Sequence, residues 1–309
     1  MKIRVEYKDV NGQINNQIHI LSRIAFAKHL GIAGQGYAPK PQKLIRTISM
    51  FLHYSSYIQR KAFYEDRFSE PSIELSDPTE KGQFSNLAGK AIADFLSKRI
   101  DQSIFTVNYE AAMKMKGMAL KGGRPDLFAF KKSGMFALEA KGYSGRSGDM
   151  QTHKIQSQTG GIPVNFTVAC VSYNLYKNIR CKYYDPLNDA IEFDSILLRQ
   201  LTSKYYTGLL GFLNNEHFEY SELVIQGESF YEVNLSDHLF RLFSDESLHN
   251  LIYLWKFHCD YKLSLILPRK IREYAKDGLE ENEKPFLLDS KENTLYIDND
   301  RVGLRINRY

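Results

Sequence analysis

The segment from Gly123-Arg124-Pro125-Asp126 to Leu138-Glu139-Ala140-Lys141-Gly142 constrains this chain more than any other. It reads as a β-hairpin. Asp126-Leu127-Phe128-Ala129-Phe130 is one strand and Gly134 to Lys141 the next, with Lys131-Lys132-Ser133-Gly134 as the turn. A loop centred on Lys132-Ser133 pairs residue 131 with 134 and so sets Asp126 opposite Glu139. Residues opposed in an antiparallel pair share a face, with Cβ atoms about 4.5–5.5 Å apart. Lys141 shares that face with Glu139, while Leu138 and Ala140 point to the other.

Opposed like charges destabilise a sheet. A hard divalent cation offsets that cost, because Mg²⁺ is commonly held by one or two carboxylates with waters and substrate phosphates. A lysine beside such a cation orients or deprotonates water, or stabilises developing charge. The pattern therefore points to metal-assisted hydrolysis of a phosphodiester. The competing reading is an ordinary surface hairpin whose Lys141 pairs with one carboxylate. Register, alternation and the preceding Arg-Pro together favour the site.

Pro125-Asp126 with Glu139-Ala140-Lys141 resembles the signature of the PD-(D/E)XK nuclease superfamily, the restriction endonuclease-like fold. The resemblance covers about residues 80–185. It implies an α/β fold, a mixed central sheet flanked by helices. It also implies Asp126 and Glu139 as ligands of Mg²⁺, with Mn²⁺ able to substitute, and Lys141 assisting the attacking water. The expected organisation is an N-terminal α+β extension over 1–75, the nuclease core over 76–190, and a C-terminal α+β region over 191–309 for substrate recognition or assembly.

The surrounding elements fit. Residues 83–99 read as a helix, capped by Ser85 or Asn86. Many relatives carry a metal-binding Glu here, shortly after a Lys-Gly pair. Lys81-Gly82 is present, but the equivalent position is Asn86. Asn86, or Glu80 or Asp94 in its place, is a candidate for the site. A capping or solvated role competes for each, and is preferred for Asp94. Residues 142–148 form a glycine-rich connector that can approach phosphate but lacks Walker spacing. A helix over 149–159 puts Gln151, Lys154 and Gln158 on one face. Relatives often place a substrate-facing Gln or Lys on this helix, and a solvated face explains the pattern equally well. His153 falls on another face, as an ordinary surface histidine. Strands are expected over 163–171 and 178–184.

The net charge is only +5, but it is unevenly placed. Residues 111–160 hold nine basic and three acidic side chains, so the rest of the chain is close to −1. Lys114, Lys116, Lys121, Arg124 and Arg146 are the candidate nucleic-acid contacts in this window. Hydrophobic content of 43% and charged content of 25% describe a globular chain. No run approaches the ~18 apolar residues of a membrane span, and the charged N-terminal strand is no signal peptide. Cys170, Cys181 and Cys259 match neither zinc spacing nor a disulfide framework, which points to a reducing cytoplasm.

The flanks read as a hairpin over 2–21 around Asn11-Gly12, a loop over 31–41, an aromatic-rich core helix over 44–66 and a linker over 70–81. Beyond the core lie helices over 195–214, 236–258 and 270–277, strands at 220–225 and 263–267, and a terminal hairpin around Asn299-Asp300. The leading expectation is a Mg²⁺-dependent nuclease acting on DNA, in restriction or anti-phage defence, alone, as a homodimer or with a partner subunit. The alternatives are a repair or recombination nuclease, a non-catalytic nucleic-acid-binding subunit on a nuclease-like fold, and a structural interaction protein.

Overall fold

The hairpin forms in the register its turn dictates. Strands β4 (Leu127–Lys131) and β5 (Gly134–Gly142) pair Leu127 with Leu138 and Lys131 with Gly134. Around them the computed structural model describes residues 1–34, 53–71, 77–132, 134–184, 194–214, 218–235, 261–278, 284–290 and 294–308, with isolated positions 50, 216 and 292. The expected helix over 236–258 and residues 35–41 of the expected loop lie outside the described residues, as do 44–49, 51 and 52 of the expected helix over 44–66 and 72–76 of the expected linker; residues 31 and 32 of the expected loop are helical.

Five more strands complete a mixed seven-stranded sheet: β1 (Lys2–Lys8), β2 (Ile14–Ile20), β3 (Phe105–Asn108), β6 (Phe166–Tyr173) and β7 (Arg180–Tyr184). Their order is β2-β1-β7-β6-β5-β4-β3. The β5–β6 and β1–β7 pairs are parallel and the others antiparallel. The protein is thus α/β, and β1 joins the central sheet although it lies far from the hairpin in sequence. β4, β5 and β6 are buried almost throughout, as strands covered on both faces must be. The β1–β2 turn uses Gly12 at φ +80°, where other residues are strained.

Helices cover the sheet: α1 (Arg23–Ile32), α2 (Arg60–Tyr64), α3 (Pro78–Ile100), α4 (Tyr109–Met115) and α5 (Met150–Gln158). α3 starts more than a turn before its expected start at Gln83. Asp77 caps it by accepting from the Thr79 amide, and Pro78 opens its first turn. Neither Ser85 nor Asn86 is therefore a cap; Ser85 Oγ donates to the Lys81 carbonyl inside the helix. Residues 78–81 are helix rather than linker.

The expected single helix over 44–66 is also corrected. Residues 54–58 form turns, and Gln59 is extended before the short α2. Three of its aromatics belong to the core, since Tyr54, Tyr57 and Phe63 pack with Phe26, Phe68 and Phe84, whereas Tyr64 is exposed. β3, α1 and α4 had no clear signature in the sequence. α1 is buried nearly all round, so it carries no apolar stripe to read.

The C-terminal region contributes α6 (Ser195–Leu210), α7 (Ile271–Asp277) and a second sheet. That sheet comprises β8 (Tyr220–Ile225), β9 (Glu228–Asn234), β10 (Tyr261–Pro268), β11 (Leu288–Asp289), β12 (Leu295–Ile297) and β13 (Gly303–Arg308), in the order β11-β12-β13-β10-β9-β8. One apolar cluster runs through both sheets, including Val5, Leu138, Leu265 and Leu304. Among the described residues no helix is long and apolar enough to cross a membrane.

A buried ionic seam ties the second sheet to α1 and α3. Lys28 Nζ lies 2.7 Å from Asp298 and 2.8 Å from Asp300. Lys98 Nζ lies 2.9 Å and 3.0 Å from the same two carboxylates. His29 Nδ1 meets Asp94 at 2.6 Å, and Thr106 Oγ1 donates to Asp94 at 2.8 Å. Asp94 is therefore no solvated residue.

Candidate active site

β4 and β5 bring the site together where the sheet meets α3. Asp126 directly precedes β4, and its carbonyl accepts from the Tyr109 amide. The β4–β5 register carries it to Glu139. Glu139 and Lys141 face α5, since their β6 partners Ala169 and Val171 pack with Met150 of that helix. Leu138 and Ala140 face the main core on the other side.

Four charged side chains converge. Lys141 Nζ is 3.1 Å from Asp126 Oδ2 and 2.6 Å from Glu139 Oε1. Lys90 of α3 reaches Asp126 Oδ1 at 2.9 Å. The Ala140 amide donates to Asp126 Oδ2 at 3.3 Å. Glu139 is fully buried, and neither of its oxygens has an aligned hydrogen-bond donor among the described residues. Lys141 is its ion-pair partner at 2.6 Å, and the same ammonium donates to Asp126 Oδ2.

The charges shift one another. Burial, then the neighbouring Asp126, pushes the Glu139 carboxyl up to about 7. Burial also opposes ionisation of Asp126, but Lys90 and Lys141 outweigh it and hold its carboxyl below the usual range. Burial works against the Lys141 ammonium, yet Asp126 and Glu139 raise its pKa. Lys141 is thus an ammonium at neutral pH.

A divalent cation fits this donor set. Two carboxylates converge, and the buried one, Glu139, has an ion-pair partner in Lys141 but no aligned hydrogen-bond donor among the described residues. Among the described residues no group of three or more His, Cys, Asp or Glu side chains is placed to hold a metal. Two carboxylates suffice for Mg²⁺ when water and phosphate complete its shell.

The remaining candidates divide. Asn86 is exposed, one turn before Lys90 on the same face of α3. Glu80 acts instead on Tyr57, whose hydroxyl pKa is pushed up to about 12 by burial and then by Glu80. Asp94 belongs to the ionic seam. Gln151 and Gln158 are exposed on α5, and Lys154 is half-buried.

Of the basic window, Lys114, Lys121 and Arg146 are exposed. Lys116 is held by Asp194 at 2.5 Å. The Arg124 guanidinium is engaged by Glu110, with Nε at 2.9 Å, and by the Gly122 carbonyl. These two are structural ion pairs before they are phosphate contacts.

Two residues near the site escaped sequence reasoning. Lys90 carried no signal, because a lysine on a helix usually reads as solvated. His153 is buried, not a surface histidine, and meets the Tyr143 hydroxyl at 3.0 Å. Burial, then the Lys141 charge, lowers its pKa. The glycine-rich connector is tied down, with Asn174 and Leu175 amides donating to the Gly145 and Tyr143 carbonyls. Comparison with known proteins gives no match to any family model, curated protein or solved structure.

Proposed function

We propose that this chain is a metal-dependent nuclease that hydrolyses phosphodiester bonds, with DNA as the substrate, on a restriction endonuclease-like core. The observation that carries the reading is the convergence of Asp126, Lys141 and a fully buried Glu139 whose oxygens lack aligned donors. Burying a carboxylate beside a second carboxylate is costly, and Lys141, shared between the two, offsets that cost only in part, since the Glu139 carboxyl is still pushed up to about 7. The order helix, hairpin, helix, strand over α3, β4–β5, α5 and β6 supports the same reading.

Asp126 and Glu139 would hold the Mg²⁺. When bound, that ion supplies Lewis-acid activation and neutralises phosphate charge. The attacking water forms a new P–O bond as the P–O bond to the leaving sugar oxygen breaks; the proton lost by that water passes to solvent, and solvent water supplies one to the leaving oxygen. Lys141, held as an ammonium, supports this step by stabilising negative charge and orienting water rather than by taking a proton. A role in restriction or anti-phage defence suits such an activity.

A second reading has its own support. Lys90 and Lys141 together neutralise Asp126, as a metal would, so the site is also consistent with a non-catalytic nucleic-acid-binding subunit. Incubation with plasmid, single-stranded DNA and RNA, in Mg²⁺, Mn²⁺ or EDTA, separates the two. Cleavage in Mg²⁺ or Mn²⁺ that is lost in EDTA and in Asp126→Ala supports the nuclease. Tight binding with no cleavage in any metal supports the binding subunit.

A further inference from the structure

We infer that Lys90 is a positioning residue of this site, a cation that holds Asp126 until a divalent metal displaces it and then turns to the substrate phosphate. The inference rests on the metal site of the proposed nuclease. Both Asp126 oxygens are taken, Oδ1 by Lys90 at 2.9 Å and Oδ2 by Lys141 at 3.1 Å. A metal bound between Asp126 and Glu139 must therefore compete with an ammonium for Asp126.

Lys90 is the one to yield. Lys141 rises from the paired strand β5 and keeps a second carboxylate, Glu139, at 2.6 Å. Among the described residues the ion-pair partner of Lys90 is Asp126. Its side chain is 32% exposed, so its flexible stem can carry the ammonium out to solvent. Its backbone cannot retreat. The preceding residue, Gly89, is packed against Lys141 and Gly142, and a Cβ there would lie 2.5 Å from the Lys141 carbonyl carbon.

A cation arriving at Asp126 repels the Lys90 ammonium across a partly buried gap of a few ångström, where charges act strongly. The displaced ammonium stays at the mouth of the site. There it meets the negative oxygens of an incoming phosphodiester, with which a lysine forms a charge-assisted contact. Lys90 thus exchanges a carboxylate for a phosphate and links metal binding to substrate binding.

Titration with Mn²⁺ alone, followed by the electron paramagnetic resonance of free Mn²⁺ at one neutral pH, tests this without any turnover. Lys90→Met and Lys90→Gln should bind Mn²⁺ about tenfold more tightly than wild type, the size of one partly screened ion pair. Lys90→Arg, which keeps the charge, should bind no more tightly than wild type. In Mn²⁺, the two neutral variants should bind nucleic acid more weakly. A merely structural Lys90 would instead loosen Mn²⁺ binding in step with a lower melting temperature. Unchanged or weaker Mn²⁺ binding in both neutral variants overturns the inference, while wild-type binding and cleavage leave the nuclease reading standing. If neither wild type nor variants bind Mn²⁺, the inference and the metal site fall together. Mn²⁺ binding by the neutral variants alone supports the lock in its strongest form.

Discussion

Gly89 of α3 and Gly142 of β5 meet backbone to backbone. A Cβ on Gly142 would lie 2.8 Å from the Ser85 carbonyl carbon, and one on Gly89 would lie 2.5 Å from that of Lys141. Real Cβ atoms do not approach so closely, so any side chain at either position must push the helix from the strand. The contact seats α3 on the end of β5. It sets Lys90, the next residue, within reach of Asp126.

Gly142→Ala should therefore both destabilise the fold and disrupt the site. Overpacking of this kind typically costs about 1–3 kcal/mol. Chemical denaturation measures the first effect, and Mn²⁺ affinity of the folded variant measures the second. Wild-type stability in Gly142→Ala would contradict the close packing.

Asp126→Ala and Glu139→Gln should each abolish Mg²⁺-dependent cleavage. Glu139→Gln removes charge with little change of shape, so it should keep the fold. Circular dichroism and a plasmid gel check both points. Mg²⁺-dependent cleavage by folded Glu139→Gln at wild-type rate would remove Glu139 from the site.

Lys141→Ala should lower turnover far more than nucleic-acid affinity. Loss of one oriented group that stabilises transition-state charge costs about 10²–10³-fold in rate. Single-turnover kinetics at saturating substrate separates the effects. A fall in affinity with unchanged turnover would make Lys141 a phosphate contact only.

Nucleic-acid affinity should fall steeply with salt, and the exposed cations should carry that slope. Each phosphate contact contributes about −0.9 to the slope of log K against log salt on duplex DNA. Neutralising Lys114, Lys121 and Arg146 together should flatten the slope by about two to three units. Neutralising Lys116 and Arg124 should flatten it less, since Asp194 and Glu110 already hold them. Equal effects of the two sets would show that those ion pairs open on binding.

The ionic seam should lose stability as pH drops below neutrality, against an opposite contribution from Glu139, whose carboxyl, raised to about 7, gains stability over the same range. Burial, only partly offset by Asp94, lowers the His29 pKa below its ordinary 6.5. The unfolded chain then takes up this proton first, so stability is lost as pH falls through 6.5. Burial opposes ionisation of Asp94, but Lys98 and His29 bring its carboxyl down to about 2 from 3.8. Asp298 is also lowered, with Lys28 and Lys98 outweighing burial. Lowered carboxylates stabilise the fold above the unfolded pKa and lose that contribution as pH falls. Asp94 alone corresponds to about 2 kcal/mol. Urea denaturation at pH 7 and 5 should show a smaller loss of stability in His29→Gln than in wild type, and a series taken from pH 4 down toward 2 should show the carboxylate contributions fall away.

The hairpin and the triad Asp126, Glu139 and Lys141 were legible in the sequence, because strand register is local. A turn at Lys132-Ser133 fixes every pair outward from it, and alternation fixes the face. The same locality made α5, α6, α7 and the first and last hairpins readable. Lys90, His153 and the seam of Lys28, Asp94, Lys98, Asp298 and Asp300 were not readable. Their partners lie up to 272 residues away in the chain. A lysine on a helix or an aspartate in a turn looks solvated until a distant element covers it. Likewise, Lys116 and Arg124 looked available until folding supplied Asp194 and Glu110. Which residues share the hairpin face follows from local strand register alone. Which charges are neutralised follows from the folded packing, because burial and ion pairing depend on what packs against a surface rather than on what adjoins it in the chain.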